Sequence, residues 1–283
     1  MKYILPAGLL ALLAVACQKE IDWGTGNLTP SQRLIRIKSK SGTTDSTQVD
    51  YSYDASGRLI REKTIGVAGG TSADNDLLIN RNSTGVIVSS VQKSAALVLL
   101  GVDSIVTRFN FNSGTSRYTS SVFATTIMGF TVNDSAVYSY DAGGRISSDA
   151  HYLQTTGLPI PLPPVLALKN NYYYSSNGAK LDSVMQEAVS APGGPLSPVA
   201  SQKYTYDAKL SPLVIVNEAI LLNRTGLYSS NNPTKTVVSN TISPGNDFTL
   251  DNVYIYNSSN TPDSLYSTRS PGGTMTASRY FYQ

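Results

Sequence analysis

Tyr51-Ser52-Tyr53-Asp54-Ala55-Ser56-Gly57-Arg58-Leu59 returns as Tyr138-Ser139-Tyr140-Asp141-Ala142-Gly143-Gly144-Arg145-Ile146, differing only by Ser56/Gly143 and Leu59/Ile146. Weaker copies surround these two. Arg81-Asn82-Ser83-Thr84-Gly85-Val86-Ile87 keeps the polar turn and the apolar exit. Phe109-Asn110-Phe111-Asn112-Ser113-Gly114 keeps the paired aromatics. Tyr172-Tyr173-Tyr174-Ser175-Ser176-Asn177-Gly178-Ala179-Lys180-Leu181 carries an insertion, and Tyr204-Thr205-Tyr206-Asp207-Ala208-Lys209 lacks the glycine. Tyr228-Ser229-Ser230-Asn231-Asn232-Pro233, Tyr254-Ile255-Tyr256-Asn257-Ser258-Ser259-Asn260 and Tyr280-Phe281-Tyr282 complete the series. A spacing of about 30 residues places the chain among repeat architectures.

Each unit reads as a β-hairpin. Aromatics at i and i+2 point to one side of a strand, and tyrosine suits a pleated, half-covered surface. Asp54 first and Gly57 fourth fit a type I turn, with glycine free to take positive φ. The exit Arg58-Leu59-Ile60-Arg61-Glu62-Lys63-Thr64-Ile65 mixes polarities and shows no clean alternation. Two strands of about ten residues, a turn and a connection account for one period. The expected fold is all-β: an antiparallel meander of about eight hairpins forming one large curved or partly closed sheet.

The Tyr-x-Tyr-Asp-x-x-Gly-Arg-Leu motif resembles the YD repeat of Rhs-type proteins. The whole series is similar to uncharacterised Bacteroidota-type lipoproteins with Tyr-Asp hairpins. In these a late Tyr-Asp unit runs into a Pro-Leu step and then an Asn-Asn-Pro segment. Tyr206-Asp207, Pro212-Leu213 and Asn231-Asn232-Pro233 match that order. The resemblance covers residues 32–283. Rhs shells enclose a toxin with many more repeats and an autoproteolytic region, neither of which is present, so a toxin-shell function does not transfer.

The N-terminus implies export. Lys2 precedes an uncharged apolar run over residues 4–16, about 13 residues, too short to span a bilayer comfortably. Leu13-Ala14-Val15-Ala16-Cys17 resembles a lipoprotein signal with cleavage before Cys17, although Ala14 replaces the usual leucine. Cys17 is the sole cysteine, so no internal disulfide can form and lipidation is its expected role. Gln18-Lys19-Glu20 resembles the surface-export signal of Bacteroidota-type lipoproteins. The expected organisation is a signal peptide at 1–16, a tether at 17–30 and a β domain at 31–283. The expected location is the outer membrane, lipid-anchored through Cys17 and facing the cell exterior.

Composition limits the chemistry. Lys and Arg number 22 against 19 Asp and Glu, a net charge of +3, with the basic residues scattered. That gives no case for nucleic-acid binding. Charged residues make up 14%, well below the roughly 25% of typical domains. His151 is the single histidine, expected at a surface or sheet edge, and no catalytic role is assigned to it. No His/Cys metal spacing exists. Asp74-Asn75-Asp76 has oxygens suited to calcium but reads as a polar turn. Gly69-Gly70 and Gly272-Gly273 lack the strand-to-helix context of a phosphate loop. No catalytic residue, cofactor or metal is assigned.

Three apolar stretches interrupt the repeats. Ala95-Ala96-Leu97-Val98-Leu99-Leu100 is expected to be a buried strand. The prolines of Leu158-Pro159-Ile160-Pro161-Leu162-Pro163-Pro164 exclude a central strand. Leu213-Val214-Ile215-Val216-Asn217-Glu218-Ala219-Ile220-Leu221-Leu222 reads equally as a short helix or a buried strand.

Asp-Ser-x recurs around Ser46, Ser104, Ser135, Ser183 and Ser264. The pattern resembles the O-glycosylation signal of exported Bacteroidota proteins, and it is also ordinary turn chemistry. Three functions remain open. The first is a non-enzymatic binding or adhesion module for a glycan or protein ligand, using tyrosines as rigid amphipathic contacts. The second is a structural envelope component docking to another protein through residues 158–164. The third, a hydrolase, lacks a nucleophile or metal set.

Overall fold

The computed structural model describes residues 33–127, 129–156, 163–176 and 178–283. The signal peptide, Cys17 and the tether lie outside the described residues, as do residues 157–162 of the proline-rich stretch. The strands are β1 (Leu34–Ser41), β2 (Asp45–Tyr53), β3 (Leu59–Ala68), the two-residue β4 (Thr71–Ser72), β5 (Asn75–Arg81), β6 (Ile87–Ser94), β7 (Ile105–Asn112), β8 (Arg117–Ile127) and β9 (Phe130–Tyr140). They continue as β10 (Ile146–Thr156), β11 (Val165–Tyr174), β12 (Leu181–Val189), β13 (Leu196–Leu210), β14 (Asn231–Asn240), β15 (Phe248–Tyr256), β16 (Pro262–Ser270) and β17 (Thr274–Tyr282).

Apart from β4, each strand pairs antiparallel with its neighbour in sequence, and β1 pairs with β17. β4 only extends the tip of β3, which pairs directly with β5. The meander therefore closes into a barrel of 16 staves. This corrects the expected curved or partly closed sheet. An open sheet would leave the N–H and C=O groups of two edge strands unpaired. Here Ile37 faces Tyr280 and Lys38 faces Arg279 in regular register.

The repeated motif locks each hairpin and ties it to its neighbour. Asp54 Oδ1 accepts the amides of Ser56 and Arg58, both at 2.9 Å, while its Oδ2 accepts Arg58 Nε at 2.8 Å. Gly57 takes φ +83° and donates its amide to the Asp54 carbonyl, so the expected turn is observed. Asp141 repeats the arrangement with Arg145, and Asn82 and Asn257 repeat its backbone part.

The second tyrosine of a unit reaches back to the exit residue of the preceding unit. Tyr53, Tyr140, Tyr174, Tyr206 and Tyr282 donate their hydroxyls to the carbonyls of Leu34, Tyr118, Ile146, Leu181 and Pro262. The cation just before most of those exits covers the same ring. Arg33 lies 5.1 Å from the Tyr53 centroid, Arg117 4.9 Å from Tyr140, Arg145 4.7 Å from Tyr174 and Lys180 5.6 Å from Tyr206. Such contacts contribute about 0.5–2 kcal/mol each. The arginine that follows the turn glycine also overlies the next turn: a Cβ on Gly85 would fall 1.3 Å from Arg58 Nη1, and one on Gly178 1.9 Å from Arg145 Nη1. Tyrosine, aspartate, glycine and arginine thus form one interlocking unit, shingled around the barrel.

These turns, together with the Arg33 and Gln283 ends of the described chain, lie at one end, called here the turn end. The other connections form the loop end. There Ala95–Leu99 forms a short helix, α1, capped by Ser94, instead of the expected buried strand. Val98 and Leu99 are exposed. Ser94 accepts the Leu97 amide and starts a helical turn that apolar content alone did not signal.

Side chains alternate between the two faces of the wall. Tyrosine pairs, Leu77, Ile79, Phe109 and Ile146 face inward and are buried or half-buried. On the outer face Arg36, Asp50, Lys63, Asp76 and Lys93 are successive cross-strand partners over β1, β2, β3, β5 and β6. Their charges alternate in sign. Arg36 contacts Asp50 at 2.5 Å, and Arg61 contacts Asp76 at 2.6 Å. The Arg61 guanidinium holds the Asp76 carboxyl below the usual carboxylate range. Further around the wall Lys169 faces Glu187, and Lys235 faces Asp251. Exposed apolar residues share this face, among them Ile65, Leu78, Val137 and Val253; Leu78, Val91 and Val106 are successive cross-strand partners, as are Val253 and Tyr266.

The connection from β13 to β14 folds into the barrel at the turn end. It contains helix α2 (Val216–Leu221) and a 3-10 turn (Thr225–Leu227). This decides the ambiguous stretch in favour of helix. Leu213, Ile215, Ala219, Ile220, Leu221, Leu222 and Tyr228 are buried against the inner wall and form a plug. Two ion pairs of opposite polarity fasten it. Arg81 from β5 grips Glu218 of the plug in bidentate fashion, with Nη2 to Oε2 at 2.7 Å. Glu62 from β3 accepts Arg224 of the plug at 3.0 Å.

Candidate functional site: a charged triad above the plug

The register of four adjacent staves builds a polar patch on the inner wall. Tyr138 faces Asp149, Asp149 faces Asn170, and Asn170 faces Gln186 across β9, β10, β11 and β12. One step toward the loop end, Ala136 faces His151 and His151 faces Leu168. These side chains line a cavity of about 370 Å³ whose floor is the plug, through Ile220, Leu221, Asn223 and Thr225. Phe123 and Val184 add apolar wall.

His151 occupies the middle of this patch. Its Nδ1 lies 2.9 Å from Asp134 Oδ2, and its Nε2 lies 3.6 Å from Asp149 Oδ1. It is therefore not the surface or edge histidine expected from the sequence. Burial alone pulls the imidazole down, but the hydrogen bonds and charges of Asp134 and Asp149 outweigh it and hold the pKa up at about 10. At neutral pH the ring is an imidazolium, its Nδ1 hydrogen-bonded to Asp134 and its Nε2 in ionic contact with Asp149. It cannot take a proton from a nucleophile, so the geometry does not fit a general base.

Asp149 is enclosed by donors. Asn170 Nδ2 reaches its Oδ1 at 2.8 Å, and the Tyr172 hydroxyl reaches its Oδ2 at 2.8 Å. Burial, and the nearby Asp149 charge, push the Tyr172 phenol far above its usual range. Tyr138 donates to Ser121 at 2.8 Å. Gln186 Nε2 donates to Asn170 Oδ1 at 3.2 Å, and Gln202 Oε1 accepts the Tyr204 hydroxyl at 2.6 Å.

The other candidates are dispersed. Asp74 accepts the Gly66 amide, and Asp76 is held by Arg61, so no calcium loop forms from Asp74-Asn75-Asp76. Among the described residues no His, Cys, Asp and Glu cluster suits a metal ion. Ser46, Ser135, Ser183 and Ser264 lie on strands with their side chains on the outer face, and Ser104 lies in the connection before β7. The paired tyrosines face inward and brace the wall, while Tyr173 between two of them is exposed.

Sequence reading missed the triad and its amide neighbours. Counting outward from the Tyr140–Ile146 pair sets Ser148 opposite Tyr138; a bulge between Ile146 and Ser148 shifts the register by one and places Asp149 there instead, which no residue of the hairpin announces.

No protein-family model and no curated protein matches the sequence. Solved structures that resemble the fold include two porin-like proteins. A porin-like protein from Bacteroides vulgatus aligns with a TM-score of 0.51 at 12% identity, covering 89% of this chain and 98% of that one. A porin-like protein from Bacteroides uniformis aligns with a TM-score of 0.50 at 12% identity, covering 90% and 98%. At that identity the likeness is one of architecture, a closed antiparallel barrel.

Proposed function

We propose that this chain is a non-enzymatic envelope protein, a water-facing barrel held at the outer membrane only by lipid on Cys17, whose plugged lumen is a binding cup. The alternating row Arg36, Asp50, Lys63, Asp76 and Lys93 carries this reading. Spanning barrels present an outward apolar band about 25 Å tall, and each Arg or Lys at its middle costs about 2–4 kcal/mol. A row of charges along the strands of five adjacent staves conflicts with such a band. The name porin-like, used for the structural relatives, describes barrel shape and does not on this reading imply a channel.

The plug supports the same conclusion. A 16-stranded porin leaves an aqueous channel, whereas here α2 and its flanks fill the turn end and are pinned by Arg81 and Glu62. β1 starts at that end, so the tether leaves from the closed base and the cup points away from the membrane. Outward display, following Gln18-Lys19-Glu20, and glycosylation of the outer-face serines both fit this orientation. A structural docking role has less support, because residues 158–164 are largely outside the described residues. Full-length protein mixed with lipid vesicles is expected to give no conductance and no solute flux above the protein-free background. Stable single-channel steps would contradict the cup.

A further inference from the structure

Resting on that reading, we propose that the cavity above the plug binds a neutral, polyhydroxylated ligand of one or two rings, a mono- or disaccharide. The charges of the site are two carboxylates around one imidazolium, and each carboxylate is engaged by donors of the protein. The His151 imidazolium is held between Asp134 and Asp149, and Asp149 is further saturated by Asn170 and Tyr172. A cationic ligand would meet the imidazolium, and an anionic one would meet the two carboxylates. An anion finds no cation free of the carboxylates, and a cation finds Asp149 already taken up by Asn170 and Tyr172 and Asp134 by His151.

The remaining polar groups suit hydroxyls. Gln186 lines the cavity and gives its NH2 to Asn170, which leaves its carbonyl oxygen as an acceptor. Gln202 uses its carbonyl on Tyr204 and keeps its NH2. An acceptor and a donor on neighbouring strands match the two roles of a sugar hydroxyl. Phe123 supplies an aromatic face for the C–H side of a ring. A volume of about 370 Å³ is at the small end of ligand pockets, roughly 300–1,000 Å³, which limits the guest to one or two rings.

The test is isothermal titration of the full-length protein in a polyoxyethylene detergent. The probes are glucose, galactose, N-acetylglucosamine, maltose, lactose and cellobiose, with amylose, cadaverine and citrate alongside. At least one neutral sugar is expected to bind saturably. Gln186→Met and Phe123→Ala should each weaken that binding at least tenfold, and Asn80→Ala on the outer face should leave it unchanged. Gln202→Met serves as a further variant if either of the first two fails to keep the wild-type circular dichroism and melting. Maltose binding without amylose binding would identify a free sugar as the guest, and binding of both would identify a glycan end; each supports the proposal. Saturable binding of cadaverine or citrate in place of sugars, no saturable sugar binding, or sugar binding indifferent to the cavity variants overturns it. If sugars fail while vesicle flux stays at background, only the ligand assignment falls and the cup remains.

Discussion

Arg81→Ala is expected to lower the unfolding free energy by about 3–5 kcal/mol, the usual cost of leaving one partner of a buried ion pair alone. Arg81 is almost fully buried, with its side chain 5% exposed, and Glu218 is 15% exposed. The guanidinium also donates to the Gly85 carbonyl at 2.9 Å and the Leu59 carbonyl at 3.0 Å. Its loss strands a carboxylate and two carbonyls together. It also frees one of the two fastenings of the plug. Replacing both partners, Arg81→Met with Glu218→Leu, removes the stranded charge and should recover most of the loss. The outer pair gives the contrast. Arg36→Ala breaks a contact with Asp50 that solvent screens, so its cost should stay below about 1 kcal/mol. Guanidinium denaturation of the three variants checks the ranking. Equal losses in Arg81→Ala and Arg36→Ala would show that the plug pair is not buried as described.

The second large effect is a loss of stability at alkaline pH carried by His151. Its folded pKa of about 10 lies above the unfolded value near 6.5. The protonated form is therefore favoured by folding. Its contribution is complete below about pH 6.5 and disappears as pH rises through 10. The loss is on the order of 2–4 kcal/mol over that window. Other groups titrate near its upper end, so the informative quantity is the difference between wild type and His151→Gln. That difference should favour wild type near pH 6 and shrink steadily toward pH 10. A difference that stays constant across the window would mean that Asp134 and Asp149 do not hold the ring charged.

Local structure was the legible part of this chain. Asp54 and Gly57 announced their turn because short-range backbone geometry limits which residues fit it. The tyrosine pairs announced a shared face because strand periodicity is fixed. What those tyrosines bond to was not legible: Leu34, Ile146 and Pro262 lie at the far end of the neighbouring strand, 19 to 28 residues back, and only the cross-strand register brings them within reach. Closure itself was hidden, because nothing local in β1 or β17 says that an edge will find the other end of the chain. The 95–100 stretch misled because apolar content without a period does not separate strand from helix, and Ser94 as a cap went unweighed. The 213–222 stretch stayed ambiguous for the same reason, and its burial depends on a lumen that must exist first. His151 looked isolated in sequence because its partners belong to the cross-strand register.

In the proposed function the barrel wall faces water and lipid on Cys17 is the only membrane attachment. Detergent phase partitioning with Triton X-114 tests it most directly, comparing the protein from its native membrane, where Cys17 is proposed to carry lipid, with a chain that starts at Gln18 and so lacks both signal and cysteine. The lipidated protein is expected in the detergent phase. The shortened chain is expected in the aqueous phase, with the circular dichroism of a β protein and a cooperative melt, because Arg36, Asp50, Lys63, Asp76 and Lys93 run across five adjacent staves of its outer face. A folded shortened chain that still enters the detergent phase would contradict the account and return the molecule to the bilayer.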